Sequence, residues 1–435
     1  MELKIKKAAF YTLGCKVNQY ETEAMTELFS DAGYDIVSFN EKADIYIINT
    51  CSVTNMSDRK SRQIIRRAKK TNPDAVIIVT GCYVQTSAEE VLDIDGVNLV
   101  IGTKGRTALV ALAEGLTSTS KVNLVGDIMH NHEFEELKIT RYEDRTRAFI
   151  KIQEGCSQFC SYCIIPYARG PIRSRNEDEV LSEIKKLAEN GFSEIILTGI
   201  HIASYGLDLK NTSLEQILSK IEQLDGVKRL RLSSIEPMTL NRDFVSKIKH
   251  SKKLCPHFHI SLQSGCDETL KRMNRRYTTA QYREIVHGLR EAFPDAAITT
   301  DIMVGFAGET EEEFNQTLEF VREMDFAEAH VFQYSQRKGT PAAVMENQIP
   351  PEIKEQRSKI IIEECAKSQE RFLQRHIGKV MEVLFEQPTK DKAFEGKTAN
   401  YITVHVPFEE DLSGKFKNVL LEEVKNGIIM GKVID

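Results

Sequence analysis

The sequence predicts an α/β protein in three parts. These are an N-terminal doubly wound parallel α/β domain, a central partial (β/α)6 barrel and a small C-terminal antiparallel β-barrel. Three observations carry this reading. Short apolar runs without alternation recur between helical stretches over most of the chain, the pattern of strands buried on both faces of a parallel sheet. Several of these runs end at a cysteine. From Lys379 onward the texture changes to short apolar runs separated by turn residues, the cue for a small antiparallel barrel. The parts span residues 1–115, a linker at 116–145, then 146–372 and 373–435.

Size and charge narrow the function. A chain of 435 residues is long enough for about three domains. Its 41% hydrophobic and 28% charged content is ordinary for a folded soluble protein. The formal net charge of −6 excludes a global positive field, so nucleic acid would have to be held by local basic patches. The apolar run of the opening MELKIKKAAFYTLGCKVN is cut short by Gly14, Lys16 and Asn18, so it does not read as a signal peptide, and nothing reads as a membrane helix. The expectation is a cytosolic (cytoplasmic) protein with no membrane partner. Nine cysteines in a reducing compartment point to metal ligation or redox chemistry rather than disulfides.

In the first part, residues 6–14 run into Cys15, ADIYIINT into Cys51 and AVIIVTG into Cys82. Helices are expected at residues 21–32, closed by Gly33, and at 57–70, stopped by Asn72 and Pro73. Alternating strand and helix implies right-handed crossovers, so the strand C-termini share one edge, where ligands bind. Cys15, Cys51 and Cys82 are then neighbours in space and can form a three-cysteine metal cluster site. The alternative is three packing thiols. The second helix carries Arg59, Lys60, Arg62, Arg66, Arg67, Lys69 and Lys70, with Ile64, Ile65 and Ala68 as its buried stripe. Charges of one sign in an acidic chain suggest a phosphate contact, with Arg66, Arg67 and Lys70 as the RNA-binding candidates; the alternative is a solvated face.

Residues 113–145 are polar and read as a linker with a small strand near 122–125. Six strand–helix repeats follow, beginning at AFIKIQEG, SEIILTGIH, RLRLSSIEP, HFHISLQSG, AAITTDIMVGFAGE and EAHVFQYS. Six instead of eight suggests an incomplete barrel with an open side for a bulky substrate. The first strand leads into GCSQFCSYCIIPYARG, with Cys156, Cys160 and Cys163 spaced CxxxCxxC. Three thiolates on one loop can converge on one metal centre and leave a coordination position open for chemistry; the alternative is a loose zinc site or three buried thiols. Polar residues and glycines recur at the same strand ends, where barrel active sites lie: Thr198, Gly199, Ser233, Ser234, Glu236, Gln263, Asp301 and Gly305.

With Tyr162 just before its last cysteine, the CxxxCxxC loop resembles that of the radical S-adenosylmethionine enzymes. GCKVNQYETE around Cys15, INTCSVT around Cys51 and TGCYVQ around Cys82 narrow the likeness to the methylthiotransferases. LTGIHIASYG, HISLQSGCDETLKRMNRRYT and TDIMVGFAGETEEEF also resemble that family, which the likeness covers over essentially the whole chain. The resemblance implies two 4Fe-4S clusters. One, on Cys156, Cys160 and Cys163, binds S-adenosylmethionine and cleaves it to a 5′-deoxyadenosyl radical; the other, on Cys15, Cys51 and Cys82, presents the sulfur. By motif it places Tyr162 near the adenine, Thr198 and Gly199 near the methionine amino group, and Ser233 and Ser234 toward the ribose, with Gln263 and Asp301 in the same cavity. GCKVNQYETE with TGIHIASYG most resembles the branch that methylthiolates carbon 2 of N6-threonylcarbamoyladenosine beside the transfer RNA anticodon. Two other branches compete, acting on isopentenyladenosine in transfer RNA (typically GCQMN where this chain has GCKVN) or on a ribosomal-protein aspartate. Outside the class stands a non-catalytic, metal-stabilised RNA-binding protein.

A charged connecting helix starts near Pro350 and Pro351. The tail's apolar runs VMEVLFEQ, YITVHVPF, KNVLLEEVK and GIIMGKVID are separated by turn signals at Glu395 and Gly396 and at Ser413 and Gly414. By resemblance this is a TRAM domain, an RNA-binding module, and Lys390, Lys392, Lys397, Lys415 and Lys417 favour that role over a structural end-cap. The expected partners are the transfer RNA anticodon stem-loop, held also by the run from Lys271 to Arg276 with Arg272 and Arg275, plus a low-potential electron donor and a sulfur source. A monomer is the favoured state. Cys255, Cys266 and Cys365 show no ligand pattern.

Overall fold

The computed structural model describes residues 5–140 and 146–434. The first sheet comprises β1 (Lys7–Thr12), β2 (Asp35–Ile36), β3 (Ile45–Thr50), β4 (Val76–Gly81), β5 (Val97–Val100) and β6 (Val122–Asn123). Its order is β2-β1-β3-β4-β5-β6, all parallel. Successive strands are added on one side of β1 and then, from β3 onward, on the other, so the gap between β1 and β3 is the switch point at which doubly wound sheets bind ligands. Strands β3 and β4 are buried throughout, as expected, but β1 is only half-buried beyond Ala9. The cause is its neighbour: β2 pairs only with Lys7 and Ala8, which leaves the rest of β1 as a sheet edge.

The first helix runs Lys16–Asp31, starting five residues before the expected Glu21, with Cys15 in extended conformation at its N-cap. Val17, Tyr20, Ala24, Met25 and Phe29 continue one buried stripe along it, so the apolar period, not the acidic run, sets its start. The basic helix is Asn55–Thr71, capped by the Thr54 side chain.

The polar segment after Glu114 is not a free linker. β6 extends the first sheet, and Leu137 and Ile139 then enter the core of the barrel. Tyr20 donates from its hydroxyl to the Leu137 carbonyl at 2.5 Å. Residues 141–145 of the expected linker lie outside the described residues.

The barrel strands are β7 (Arg147–Glu154), β8 (Arg173–Ser174), β9 (Glu194–Gly199), β10 (Arg229–Leu232), β11 (His257–His259), β12 (Ala297–Val304) and β13 (Glu328–Gln333). β10-β9-β7 and β11-β12-β13 are parallel sheets. Parallel bridges Leu230 to Leu254 and Ile235 to Ile260 join them into one six-strand arc. β8 is a short antiparallel addition to β7 that the sequence pattern does not reveal. Among the described residues β7 and β13 do not pair, so the arc stays open.

A 24-residue helix, Pro351–Gln374, leads to the tail. There β14 (Val380–Pro388), β15 (Ala393–Thr398), β16 (Thr403–Pro407), β17 (Phe416–Lys425) and β18 (Ile428–Val433) close in the order β14-β15-β16-β18-β17. Glu395 and Gly396 lie inside β15 and do not turn the chain. A Cβ on Gly396 would sit 2.5 Å from Val383 Cγ1 and 2.7 Å from the Leu384 carbonyl oxygen, so this glycine allows strands to pack closely. The tail seals the N-terminal end of the larger barrel. Tyr401 stacks on His257 at 4.6 Å, and Arg229 and Arg231 donate to the Lys397 and Ala399 carbonyls at 3.0 Å each.

Candidate active site: two three-cysteine centres on one ionic junction

The three front cysteines follow adjacent strands. Cys51 and Cys82 come directly after β3 and β4, which are in register at Thr50 and Gly81. Cys15 follows β1 after a two-residue loop whose Leu13 N–H bonds the Asn49 carbonyl at 2.8 Å. All three thus lie on one sheet edge, at the switch point. Gly14 fixes the closeness: a Cβ there would meet Cys51 Cβ at 2.8 Å and Cys51 Sγ at 3.0 Å. Asn18 ties the two loops together, donating to the Leu13 carbonyl at 2.7 Å and the Thr50 carbonyl at 3.0 Å.

The barrel cysteines sit on the loop after β7. Its backbone is held by Cys156 N–H to the Gly170 carbonyl and Ser161 N–H to the Met273 carbonyl, both 3.0 Å. Asn274 donates to the Phe159 carbonyl at 2.9 Å. Arg275 donates to Cys160 Sγ at 3.3 Å and to Glu236 at 2.9 Å. Glu236 in turn lies 3.8 Å from His201 Nε2.

Arg169, six residues past Cys163, joins the front trio to the barrel. Its Nε donates to Cys82 Sγ at 3.2 Å, Nη2 to Asn18 at 2.5 Å, and Nη1 to Glu21 at 2.5 Å and Glu154 at 2.7 Å. Lys151 bridges the same carboxylates at 3.1 and 2.7 Å. Arg106 completes the group, 2.6 Å from Glu21 and 2.7 Å from Glu135. These three cations meet three carboxylates, with the buried Arg173 beside them on the Arg169 carbonyl at 2.9 Å; the Glu21, Lys151, Arg106 and Arg169 side chains have no exposed surface. Burial alone would raise the Glu21 and Glu154 carboxyls, yet Arg106, Arg169 and Lys151 hold both low, Glu154 at about 2.

The donor sets fit iron–sulfur clusters better than single metal ions. A tetrahedral zinc with 2.3 Å Zn–S bonds brings its sulfurs to about 3.8 Å of one another. Among the described residues, only His259, Asp301 and His330 have three ligand atoms all within 4.8 Å of one another. Neither cysteine trio is drawn together as a single zinc would hold it, and each offers three thiols, a set that can hold a cluster and leave one iron open. Burial pushes Cys82 and Cys163 up to about 12 and Cys156 up to about 11, and it raises Cys51. Without a cluster these groups are neutral thiols, so metal loading must release protons.

Among the residues expected around the cofactor, Tyr162 is half-buried against Phe306. Thr198 and Gly199 end β9. Ser233 is buried with no partner for its hydroxyl, and Ser234 is exposed. Gln263 has a strained φ of 68° and a buried, unpartnered Oε1. Asp301 departs from expectation. It lies within β12, short of the strand end, and its carboxylate is taken up by His259 at 3.1 Å and His330 at 3.4 Å. Arg275 and Arg272 also change role. Arg275 holds Cys160, and Arg272 forms a two-point pair with Glu313 at 2.8 and 2.6 Å, so neither is a free RNA contact. Sequence reasoning missed Asn18, Glu21 and Arg169. All three stand in the motifs quoted for the cysteines, which was the available signal, whereas Glu236 was among the strand-end residues expected at the barrel mouth.

Arg66, Arg67 and Lys70 are exposed on the basic helix. The start of that helix docks beside the barrel mouth, where Arg337 reaches Asp58 and Asn55 at 2.7 Å each. Neutralising the three together is expected to weaken RNA binding and to flatten the slope of log K against log salt. Each lost contact should contribute about 0.7 on single strands or about 0.9 on duplex. Filter binding across a salt series measures it, and an unchanged slope would make this a solvated face.

The fold and the open three-thiol loop define a radical S-adenosylmethionine enzyme. The Radical SAM superfamily model matches residues 150–321, the uncharacterized protein family UPF0004 matches 7–102 and the TRAM domain matches 374–434. A threonylcarbamoyladenosine tRNA methylthiotransferase of Bacillus subtilis is 44% identical over 94% of this chain and 92% of its own. One of Aquifex aeolicus is 37% identical over 95% and 100%. A tRNA-2-methylthio-N(6)-dimethylallyladenosine synthase of Lachnoclostridium phytofermentans is 37% identical over 98% and 94%. In fold, the chain resembles a radical S-adenosylmethionine methyltransferase of Kitasatospora setae, with a TM-score of 0.58 at 15% identity over 78% of this chain and 77% of that one. The chain belongs to the radical S-adenosylmethionine tRNA methylthiotransferases. Membership implies S-adenosylmethionine and a 4Fe-4S cluster. No helix among the described residues is long and apolar enough to cross a membrane.

Proposed function

We propose that this enzyme installs the methylthio group at carbon 2 of N6-threonylcarbamoyladenosine beside the transfer RNA anticodon. It uses two 4Fe-4S clusters, one on Cys156, Cys160 and Cys163 and one on Cys15, Cys51 and Cys82. The observation that carries the two-centre reading is Arg169, which touches the front trio at Cys82 and the barrel strand at Glu154. The substrate reading is supported by the 44% identity to the Bacillus subtilis relative, against 37% to the Lachnoclostridium dimethylallyladenosine synthase.

When bound, the reduced cluster and S-adenosylmethionine supply a carbon radical able to take hydrogen from an unactivated C–H bond. The chain's own residues orient the parts. Ser233 and Gln263 offer buried polar atoms without partners to a polar cofactor, and Tyr162 offers an aromatic edge. Arg275 donates to Cys160 sulfur, and hydrogen bonds to cluster sulfurs tune potential. The target base lies in a single-stranded loop, so splaying it into the open side of the barrel costs little stacking. The exposed basic helix and tail lysines bind the RNA, with a low-potential electron donor and a sulfur source as further partners. The enzyme works as a monomer in the cytoplasm. Nucleoside mass spectrometry of transfer RNA from a deletion strain should lose the 2-methylthio form of threonylcarbamoyladenosine and keep its precursor. Loss of the isopentenyl form instead would move the substrate assignment to that branch.

A further inference from the structure

The loop that carries the barrel cysteines turns two aromatic side chains outward. Phe159, between Cys156 and Cys160, is 41% exposed, and Tyr167, four residues past Cys163, is 39% exposed. Their ring centroids lie 5.9 Å apart, edge to face at 75°. The backbone fixes both positions. Phe159 holds a positive φ of 49°, which an L residue adopts at a cost, and Asn274 pins its carbonyl at 2.9 Å. Tyr167 lies on the short helix Ile165–Arg169, two positions before Arg169. Residues two apart on a helix point about 200° from one another, so the turn that sends Arg169 inward to Cys82 sends Tyr167 to solvent.

From Tyr167 a groove of about 760 Å³ runs between the barrel and the front domain, bounded by Ile164, Asn55, Gln85 and Lys338. Its three carboxylates are already engaged. Asp58 pairs with Arg337 at 2.7 Å, Glu90 accepts from Tyr83 at 2.6 Å and Glu89 accepts from Asn123 at 2.7 Å. Lys338 is exposed and forms no ion pair or hydrogen bond among the described residues. Arg59 and Lys60, in the first turns of the basic helix, are exposed and unpaired in the same way. Aromatic faces beside unpaired cations suit a single nucleic-acid strand, with bases on the rings and phosphates on the charges. A folded protein partner would call for a broad apolar centre instead, whereas this groove is lined mainly by polar and charged side chains.

We propose that Phe159 and Tyr167 form a stacking platform for an unpaired anticodon-loop base next to the modified one, with Lys338 receiving its phosphate. This rests on the transfer RNA reading above and is indifferent to which adenosine the enzyme modifies. The platform stands on the loop that carries the three barrel cysteines, so a base stacked there holds the strand at the rim while its neighbour enters the lumen. A splayed base leaves that neighbour without a stacking partner on one side, and an exposed ring supplies it.

The test uses full-length, cluster-loaded enzyme and an anticodon stem-loop RNA with 5-iodouridine at the loop positions flanking the target, one position at a time. Irradiation joins an iodouracil to an aromatic ring stacked on it, so mass spectrometry should find the cross-link on Phe159 or Tyr167. Combining Phe159→Leu with Tyr167→Leu keeps apolar bulk and removes both rings. The double change should weaken stem-loop binding by about 10- to 100-fold and leave the slope of log K against log salt unchanged. Lys338→Gln should flatten that slope by about 0.7, and Tyr167→Phe should bind as wild type does. Iron content and 5′-deoxyadenosine release without RNA report whether each variant is intact. Cross-links found only elsewhere, or a double variant that binds the stem-loop normally, overturn this proposal alone. So does a double variant that binds RNA normally yet is reduced by dithionite and no longer by a reduced flavoprotein, which would give the patch to an electron donor. A wild type that binds no stem-loop overturns the transfer RNA reading and this proposal with it.

Discussion

Replacing Arg169 with methionine is expected to loosen the front domain from the barrel by about 3–5 kcal/mol, the usual cost of removing one partner from a buried ionic group. The pairing explains the size. Arg106, Lys151 and Arg169 face Glu21, Glu135 and Glu154, and without Arg169 the buried Glu21 and Glu154 carboxylates lose the partner they share. Methionine fills much of the arginine stem's volume, so the loss is electrostatic more than steric. Amide exchange reads it locally, which matters because a three-part chain has no single unfolding midpoint. Exchange along Lys16–Asp31 should rise by about two orders of magnitude or more, whereas the tail strands, which make no contact with Arg169, should not change. Adding Glu21→Gln should recover part of the loss by removing the stranded charge. If exchange in that helix stays at the wild-type level, the junction does not hold the two centres together.

Much of this architecture was legible because parallel strands carry an apolar signature that does not depend on their partners. β3, β4 and β12 read directly from ADIYIINT, AVIIVTG and AAITTDIMVG. What stayed hidden depends on partners distant in sequence. β8 is two residues long and exists only because Arg173 and Ser174 can pair with the end of β7. β15 was mistaken for a turn because Gly396 reads as a breaker until the strand it must approach is known. The cysteines were found by their spacing and topology, but the groups that bind them together were not. Glu21 and Arg169 lie 148 residues apart, and each alone resembles an ordinary surface charge. Arg275 was misassigned for the same reason: four basic residues between Lys271 and Arg276 suggest a phosphate patch, and only the fold turns one of them inward to a cysteine.

Changing Cys51 to alanine is expected to separate the two chemistries completely. The barrel trio is held by Arg275, Asn274, Ser161 and the Gly170 carbonyl, none of which touches Cys51. Cleavage of S-adenosylmethionine to 5′-deoxyadenosine should therefore continue within a few-fold of wild type. On the proposed two-cluster reading, methylthio product should fall to background, because a front cluster left with two of its three thiols would not be retained. Iron should drop from about eight to about four atoms per chain on anaerobic reconstitution, as expected for losing one of two four-iron clusters. The side chain itself is small and buried, so the fold should lose only about 1–2 kcal/mol. Cys160→Ala is the counterpart and should abolish both products, since the cofactor-cleaving centre then lacks a ligand. If Cys51→Ala also stops cofactor cleavage with its barrel iron intact, the front trio must support the barrel centre itself. Arg169, bonded to Cys82 on one side and Glu154 on the other, is the path by which it would do so.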